Sequence, residues 1–265
     1  MTHYIRFSLD PDASPTVSDA IPGVKYGILD GENVFEINGL GGTRTGAHFK
    51  RSQLRLLPPA CPSKIVCVGR NYAKHAKELG NEIPAEPLIF LKPPSSLNAD
   101  GDAILYPRIS NIVNYEGEIG LVVGKRGRHV KAADAMDLIF GYTIVNDVTA
   151  RDLQKKDGQF TRGKGFDTFC CVGPTVVHKG ELDVNTLGVK TYLNGQLKQD
   201  GSIQDLIFSI PVIIEFVTAF MTLEPGDLIA TGTPEGVGPM EPGATVRVEV
   251  PGIGALENTV RQDKP

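Results

Sequence analysis

The chain has no tryptophan and only four cysteines in 265 residues. Cys61, Cys67, Cys170 and Cys171 form no C-x-x-C pair, and vicinal Cys170 and Cys171 are poorly placed to bridge each other. Buried, reduced thiols in a cytosolic protein are the expectation. No Asn-x-Ser/Thr sequon occurs, which agrees with a protein that is not secreted. Met1 to Asp12 lack an apolar core and carry acids, so neither a secretory nor a transit peptide fits. No run suits a membrane span: the most apolar window, Leu206 to Leu223, contains Pro211 and Glu215 and reads as a core helix. The net charge of −4 comes with no basic stripe, which argues against nucleic acid as a partner. No Gly-x-Ser-x-Gly elbow supports a serine nucleophile. Gly158 to Lys164 match the first seven P-loop positions, but Gly165 follows where Ser or Thr must bind Mg²⁺, and no strong strand precedes.

What the chain does have is turns and short apolar runs. Its 30 glycines and 19 prolines suit a β-rich protein. Residues 1–62 read as a small β-rich unit. Tyr26–Leu29 and Asn33–Ile37 flank Asp30-Gly31, a strong hairpin signal, and Pro58-Pro59-Ala60-Cys61-Pro62 reads as a stiff linker. Residues 63–265 read as one larger domain. Strands are expected at Lys64–Val68, Leu88–Leu91, Ile119–Val123, Gly141–Asp147, Phe169–Val177, Val189–Leu193, Asp227–Ala230 and Ala244–Val250. Asn194-Gly195 marks a tight hairpin turn. Short helices are expected up to Leu79, with Gly80 as the stop, and at Ala132–Leu138 and Ala150–Lys156. A longer one runs to about Met221, with Ser209 as cap and Pro211 in its first turn. With many strands and few helices, the fold class is α+β, mainly β.

The stretch Asn114 to Gly124 carries the chemistry. Side chains two apart on a strand share a face, so Glu116 and Glu118 project together at the mouth of a buried strand. Adjacent carboxylates repel unless a cation sits between them or water screens both. Asp147 ends a second apolar run and offers a third carboxylate. Without a nearby Cys or His pair, this oxygen-only set suits Mg²⁺, Mn²⁺ or Ca²⁺ rather than Zn²⁺.

Other residues have both a functional and a bland reading. His75 and Glu78 share one helix face at i and i+3, where a carboxylate would raise the basicity of the imidazole; the commoner case for such a pair is a surface helix in which Glu78 pairs with Lys74 and His75 is solvated. Lys164, in a glycine-flanked loop, could steady an enolate or simply be exposed. Arg151 and Gln154 follow Asp147 at helical spacing and would share its face, or Arg151 could form only a local salt bridge. Thr231 to Pro239, with the Thr233 hydroxyl, could hold an anion or be a plain turn.

Together these segments resemble a known family. Ile65 to Tyr72 with His75 and Glu78, Phe90-Leu91-Lys92-Pro93, Tyr115 to Glu118, Asn146 to Gln154, Lys164 to Asp167 and Thr231 to Gly238 are similar, in this order, to the motifs of the fumarylacetoacetate hydrolase family. The likeness runs from about Ser63 to the C-terminus and is greatest to the acylpyruvases and related 2-oxo-acid enzymes. It implies a mixed β-sandwich or β-roll catalytic domain, usually dimeric, with a Mg²⁺ or Mn²⁺ site. By this resemblance Glu116, Glu118 and Asp147 are the metal ligands, His75 and Glu78 the water-activating pair on a lid, and Lys164 the active-site lysine. Arg70, Tyr72, Arg151, Gln154 and Thr233 fall on the substrate side. The expected activity is hydrolysis of a C–C bond in an acylpyruvate-type 2,4-dioxo acid through an enolate. The same enolate serves isomerisation or tautomerisation of 2-oxo or 2-hydroxy-dienoic diacids and decarboxylation of oxaloacetate, so these stand as alternatives. The expected partners are a small 2-oxo-carboxylate and a second copy of the chain, in the cytoplasm or, in a eukaryote, the mitochondrial matrix.

Overall fold

The structure, a computed structural model, describes residues 1–16, 18–78, 80 and 82–264. Two packed sheets dominate it. The Gly117–Val123 and Ile139–Asp147 strands lie antiparallel at the centre of a 12-stranded sheet. Cys170–His178 flanks Ile139–Asp147, and Leu228–Ala230 flanks Gly117–Val123. Leu228–Ala230 pairs in parallel with Ile65–Gly69, which pairs with Leu88–Lys92 at the edge. A five-stranded sheet runs Gln196–Ser202, Gly188–Leu193, Thr245–Val250, Gly254–Gln262 and Ala103–Tyr106. A three-stranded sheet joins Val113–Tyr115 to Thr149–Ala150 and Gly238–Met240.

The period-2 alternation of each central strand explains the layering. Leu121, Val123, Ile144, Val66 and Val68 face the main core, together with Val246, Val248 and Leu256 of the second sheet. Their neighbours Val122, Val145, Ile65 and Cys67 face a smaller core on the opposite side, with Cys170 and Val176. A sheet buried on both faces reads as continuous apolar runs, as these strands do. The mainly β, two-layered architecture agrees with the expected fold class.

Four α-helices are described: α1 (Ala73–Glu78), α2 (Arg151–Asp157), α3 (Phe160–Lys164) and α4 (Ile210–Phe220). Leu79, the expected end of the first helix, lies outside the described residues. Ala132–Leu138 is a 3₁₀ helix instead of an α-helix. Pro211 lies in the first turn of α4 as expected, but the Ser209 side chain makes no capping hydrogen bond. Both hairpins form as the sequence suggests, with Asp30 opposite Asn33 and Leu193 opposite Gln196. Asn194 and Gly195 take φ of 50° and 77°, the left-handed pair of a type I′ turn.

The strands of residues 1–62 do not stand apart from the rest. His3–Ser8 pairs with Val24–Asp30 and Arg55–Leu57, and also with Cys170–His178 through His3–Val177 and Tyr4–Val176. The large sheet therefore runs on through both segments, although Ile5, Phe7, Val34, Leu54 and Leu56 keep a cluster of their own. All four cysteines are free; Cys67, Cys170 and Cys171 are buried and Cys61 is partly so. Among the described residues no helix is long and apolar enough to cross a membrane.

Candidate active site

Strand register brings the acids together. Gly117 lies opposite Asn146, so the residue before one strand meets the residue ending the other, and the Asp147 amide donates to the Glu116 carbonyl at 2.8 Å. Glu118, two residues further along, faces the same point. Ligand oxygens of Glu116, Glu118 and Asp147 all lie within 4.8 Å of one another, and all three residues are buried.

Three cations surround this cluster. The Lys164 ammonium donates to Glu116 Oε2 and to Asp147 Oδ2, each at 2.6 Å. Lys92, fully buried, donates to Asp147 Oδ1 at 2.6 Å and to the Val148 carbonyl at 3.1 Å. Arg151 donates through Nη2 to Glu116 Oε1 and through Nη1 to Gln154 Oε1, the latter at 2.6 Å. Glu118 differs from the other two acids. It accepts a hydrogen bond from the Gly232 amide at 2.7 Å, and among the described residues it has no ion-pair partner within 4 Å.

These surroundings separate the protonation tendencies. Burial alone would raise the pKa of Glu116, but Lys164 and Arg151 outweigh it and hold the carboxyl well below its usual range. Burial, followed by the charges of Asp147 and Glu116, pushes Glu118 well above its usual range. Burial favours neutral Lys164, yet Asp147 and Glu116 prevail and keep it an ammonium. A cluster of three carboxylates, one of them lacking a counter-ion, with only hard oxygen donors, fits a divalent cation of the Mg²⁺ or Mn²⁺ type.

A cavity of about 250 Å³ opens onto the cluster. Arg70, His75, Glu116, Glu118, Asp147, Arg151, Gln154, Lys164 and Thr233 line it, joined by Lys155, Phe90 and Phe160. Tyr72 and Glu78 are not in the lining. Tyr72 is buried and bridges to Leu206. Glu78 accepts from the Gly236 amide with both oxygens, at 3.0 and 3.2 Å, and sits 3.4 Å from His75 Nδ1. That approach is poorly aligned, and Nδ1 makes no hydrogen bond. Lys74 turns to Glu235 at 3.5 Å, so the alternative Lys74–Glu78 pairing does not form. Burial lowers the His75 pKa, partly offset by Glu116, which leaves a neutral imidazole at neutral pH.

Several local expectations are corrected. Asp147 and Arg151 do not share a helix: the Thr149–Ala150 strand intervenes, and Arg151 opens α2 with its charge on Glu116. Lys164 ends α3 and is buried, so it is not on an exposed loop. A Cβ on Gly163 would lie 2.9 Å from the Gln154 Cβ and 3.0 Å from its backbone, so glycine lets α2 and α3 pack closely enough for Lys164 to reach the acids. The Thr233 hydroxyl donates to the Gly117 carbonyl and accepts from Gln199 Nε2, both at 2.8 Å, and so braces the acidic strand. Two further residues at the site, Lys92 and Gln199, are not among those singled out by the sequence. Lys92 closes an apolar strand within a recognised motif, a signal that could have marked it, whereas nothing local marks Gln199.

Residues 64–261 match the family model described as fumarylacetoacetate (FAA) hydrolase C-terminal, and residues 3–59 match one described as Rv2993c-like, N-terminal. The chain belongs to the fumarylacetoacetate hydrolase family. Oxaloacetate tautomerase YisK of Bacillus subtilis is 44% identical over 225 residues, 80% of this chain and 75% of that one. The mitochondrial oxaloacetate decarboxylase of Dictyostelium discoideum is 45% identical over 195 residues, 72% of this chain and 89% of that one. The crystal structure of a 2-hydroxyhepta-2,4-diene-1,7-dioate isomerase from Mycobacterium marinum matches with TM-score 0.87 and 40% identity, covering all of both chains. These three relatives carry tautomerase, decarboxylase and isomerase titles, while less similar solved structures carry hydrolase titles, among them a fumarylacetoacetate hydrolase from Exiguobacterium antarcticum at 33% identity and TM-score 0.82, covering 99% of this chain and all of that one.

Proposed function

We propose that this family member is a divalent-metal-dependent enzyme that interconverts the keto and enol forms of a short 2-oxo dicarboxylate of the oxaloacetate type. The charge of the cavity carries this reading. Arg70, Arg151, Lys155 and Lys164 set four positive charges against the three acids in its lining. A bound divalent ion would leave a marked positive excess, suited to a substrate with two carboxylates. The small cavity favours a short diacid over a long one. The titles of the tautomerase and isomerase relatives support the same reading and favour it over the C–C hydrolysis expected from sequence.

Glu116, Glu118 and Asp147 would hold the ion, which supplies Lewis-acid polarisation of a 2-oxo acid when bound. Neutral His75 lines the cavity and suits the uptake and return of a carbon-bound proton. Lys164 presents a fixed ammonium where enolate charge develops, and one such donor is worth roughly 3 kcal/mol. Arg151 lines the cavity with its guanidinium held on Glu116, and its buried Nε makes no hydrogen bond. Phe90 and Phe160 pack edge-to-face at 5.2 Å and limit water on one wall.

The test follows enol absorbance of oxaloacetate with Mg²⁺ or Mn²⁺ and with EDTA, with CO₂ and pyruvate assayed in parallel. Metal-dependent acceleration of enol loss without CO₂ is expected. Rapid CO₂ release would make the enzyme a decarboxylase. Cleavage of acetylpyruvate far faster than either would restore hydrolysis.

A further inference from the structure

Asn71 touches neither the cavity nor the acids, yet it is fully buried and spends its whole side chain on other segments. Nδ2 donates to the Phe208 carbonyl at 3.1 Å and to the Thr231 carbonyl at 2.8 Å. Oδ1 accepts from the Phe208 amide at 2.8 Å, and the Asn71 carbonyl accepts from the Ile207 amide at 2.8 Å. Three neighbouring features of the backbone account for an amide at this position. Arg70, just before it, has φ of 56°, a left-handed conformation that a long side chain adopts only when its surroundings impose it. Helix α1, which carries His75, begins two residues later. On the far side, Gly232 has φ of 106°, and a Cβ there would lie 2.8 Å from the Asn71 Cβ. The Gly232 amide is the hydrogen-bond donor to Glu118.

We propose that Asn71 is a positioning residue that fixes Arg70 and α1 on one side and the Gly232 donor of Glu118 on the other, so that the cavity wall and the acidic cluster keep one relative placement. Only an amide supplies this set: two donors for two carbonyls and an acceptor for an amide, in a planar group of this reach. Aspartate lacks the donors when ionised, and serine is too short to span both carbonyls. The link passes through buried hydrogen bonds of named geometry, in the manner by which outer groups orient metal ligands. The inference rests on the reading that Glu118 and His75 belong to one active site, but its test needs no substrate.

The test uses the full chain with Asn71→Ala and Asn71→Ser, and with Thr143→Ala as a control. Thr143 is buried and bonded to the Thr175 carbonyl, away from the cavity, so this variant loses stability without touching the link. Mn²⁺ affinity is read by electron paramagnetic resonance titration, and amide exchange is read over Ala73–Glu78. Both Asn71 variants are expected to weaken Mn²⁺ binding by about tenfold or more. They are also expected to speed exchange in α1 by at least a similar factor, with the serine variant less affected. Thr143→Ala is expected to keep wild-type Mn²⁺ affinity and α1 protection. If folded Asn71→Ser binds Mn²⁺ within twofold of wild type and α1 keeps its protection, the positioning role is overturned. A change of equal size in Thr143→Ala would overturn it too, since general loosening would then suffice. A wild type that binds Mn²⁺ but lacks tautomerase activity would instead count against the proposed function.

Discussion

Lys164 is the residue on which the metal-free site most depends. Its ammonium is shared by Glu116 and Asp147, two carboxylates that would otherwise face each other with less compensation in a buried space. Removing one partner from such a buried set costs about 3–5 kcal/mol. Lys164→Met is therefore expected to lower the melting temperature sharply in EDTA, and Mn²⁺ is expected to recover part of the loss by supplying the missing positive charge. Equal melting temperatures for variant and wild type in EDTA would contradict the ion-pair geometry. His75 gives a pH prediction. Burial places its folded pKa below the ordinary 6.5, so the unfolded chain takes up the proton first as pH falls. Its unfavourable contribution is absent above pH 6.5 and grows as pH drops from there towards the lower folded value. Activity that needs neutral imidazole should stay level through neutrality and fall only in acid. Melting curves at pH 7.5 and 5.5 should show His75→Gln losing less stability on acidification than wild type. At this scale the sequence is informative where chemistry is dense. Glu116-Gly117-Glu118 is legible because two acids beside an apolar run demand a reason. Lys92 carries only the weaker signal of its motif, because a lysine at a strand end usually lies in water, and the folded register is what places it under Asp147.

At the scale of elements, the approach of α2 to α3 delivers Lys164, and Gly163 permits it. A methyl group at that position would press on both the side chain and the backbone of Gln154, which cannot retreat without moving α2. Gly163→Ala is expected to cost about 1–3 kcal/mol by overpacking and to draw Lys164 away from the acids. The check is a combined loss of melting temperature and of Mn²⁺ affinity; wild-type values for both would show that the helices can separate freely. This helix is illegible in sequence because five residues with an internal glycine carry no apolar period. The flanking glycines read as loop signals, and only the packing shows that one is a spacer. The two hairpins are legible for the opposite reason: Asp30-Gly31 and Asn194-Gly195 state their geometry locally. The parallel pairing of Ile65–Gly69 with Leu228–Ala230 joins segments far apart in the chain, and no local pattern announces it.

At the scale of the molecule, residues 1–62 are tied to the rest by few but well-placed contacts. His3–Ser8 continues the large sheet beyond Cys170–His178, covering an edge at which Val176 and Val177 are fully buried. Tyr4 packs edge-to-face on Phe140 at 5.2 Å, Arg55 pairs with Asp102 at 2.6 Å, and the Thr2 amide donates to Glu181 at 2.6 Å. A chain of residues 63–265 would keep every acid and cation of the cluster but would bare that strand edge. An open apolar edge invites pairing with another molecule. The shortened chain is therefore expected to melt earlier than the full chain and to aggregate as its concentration rises, measured by light scattering alongside thermal denaturation. A monodisperse shortened chain with full-length melting temperature and Mn²⁺ affinity would show that the first 62 residues are carried independently of the site, and that the continuous sheet is not what stabilises it.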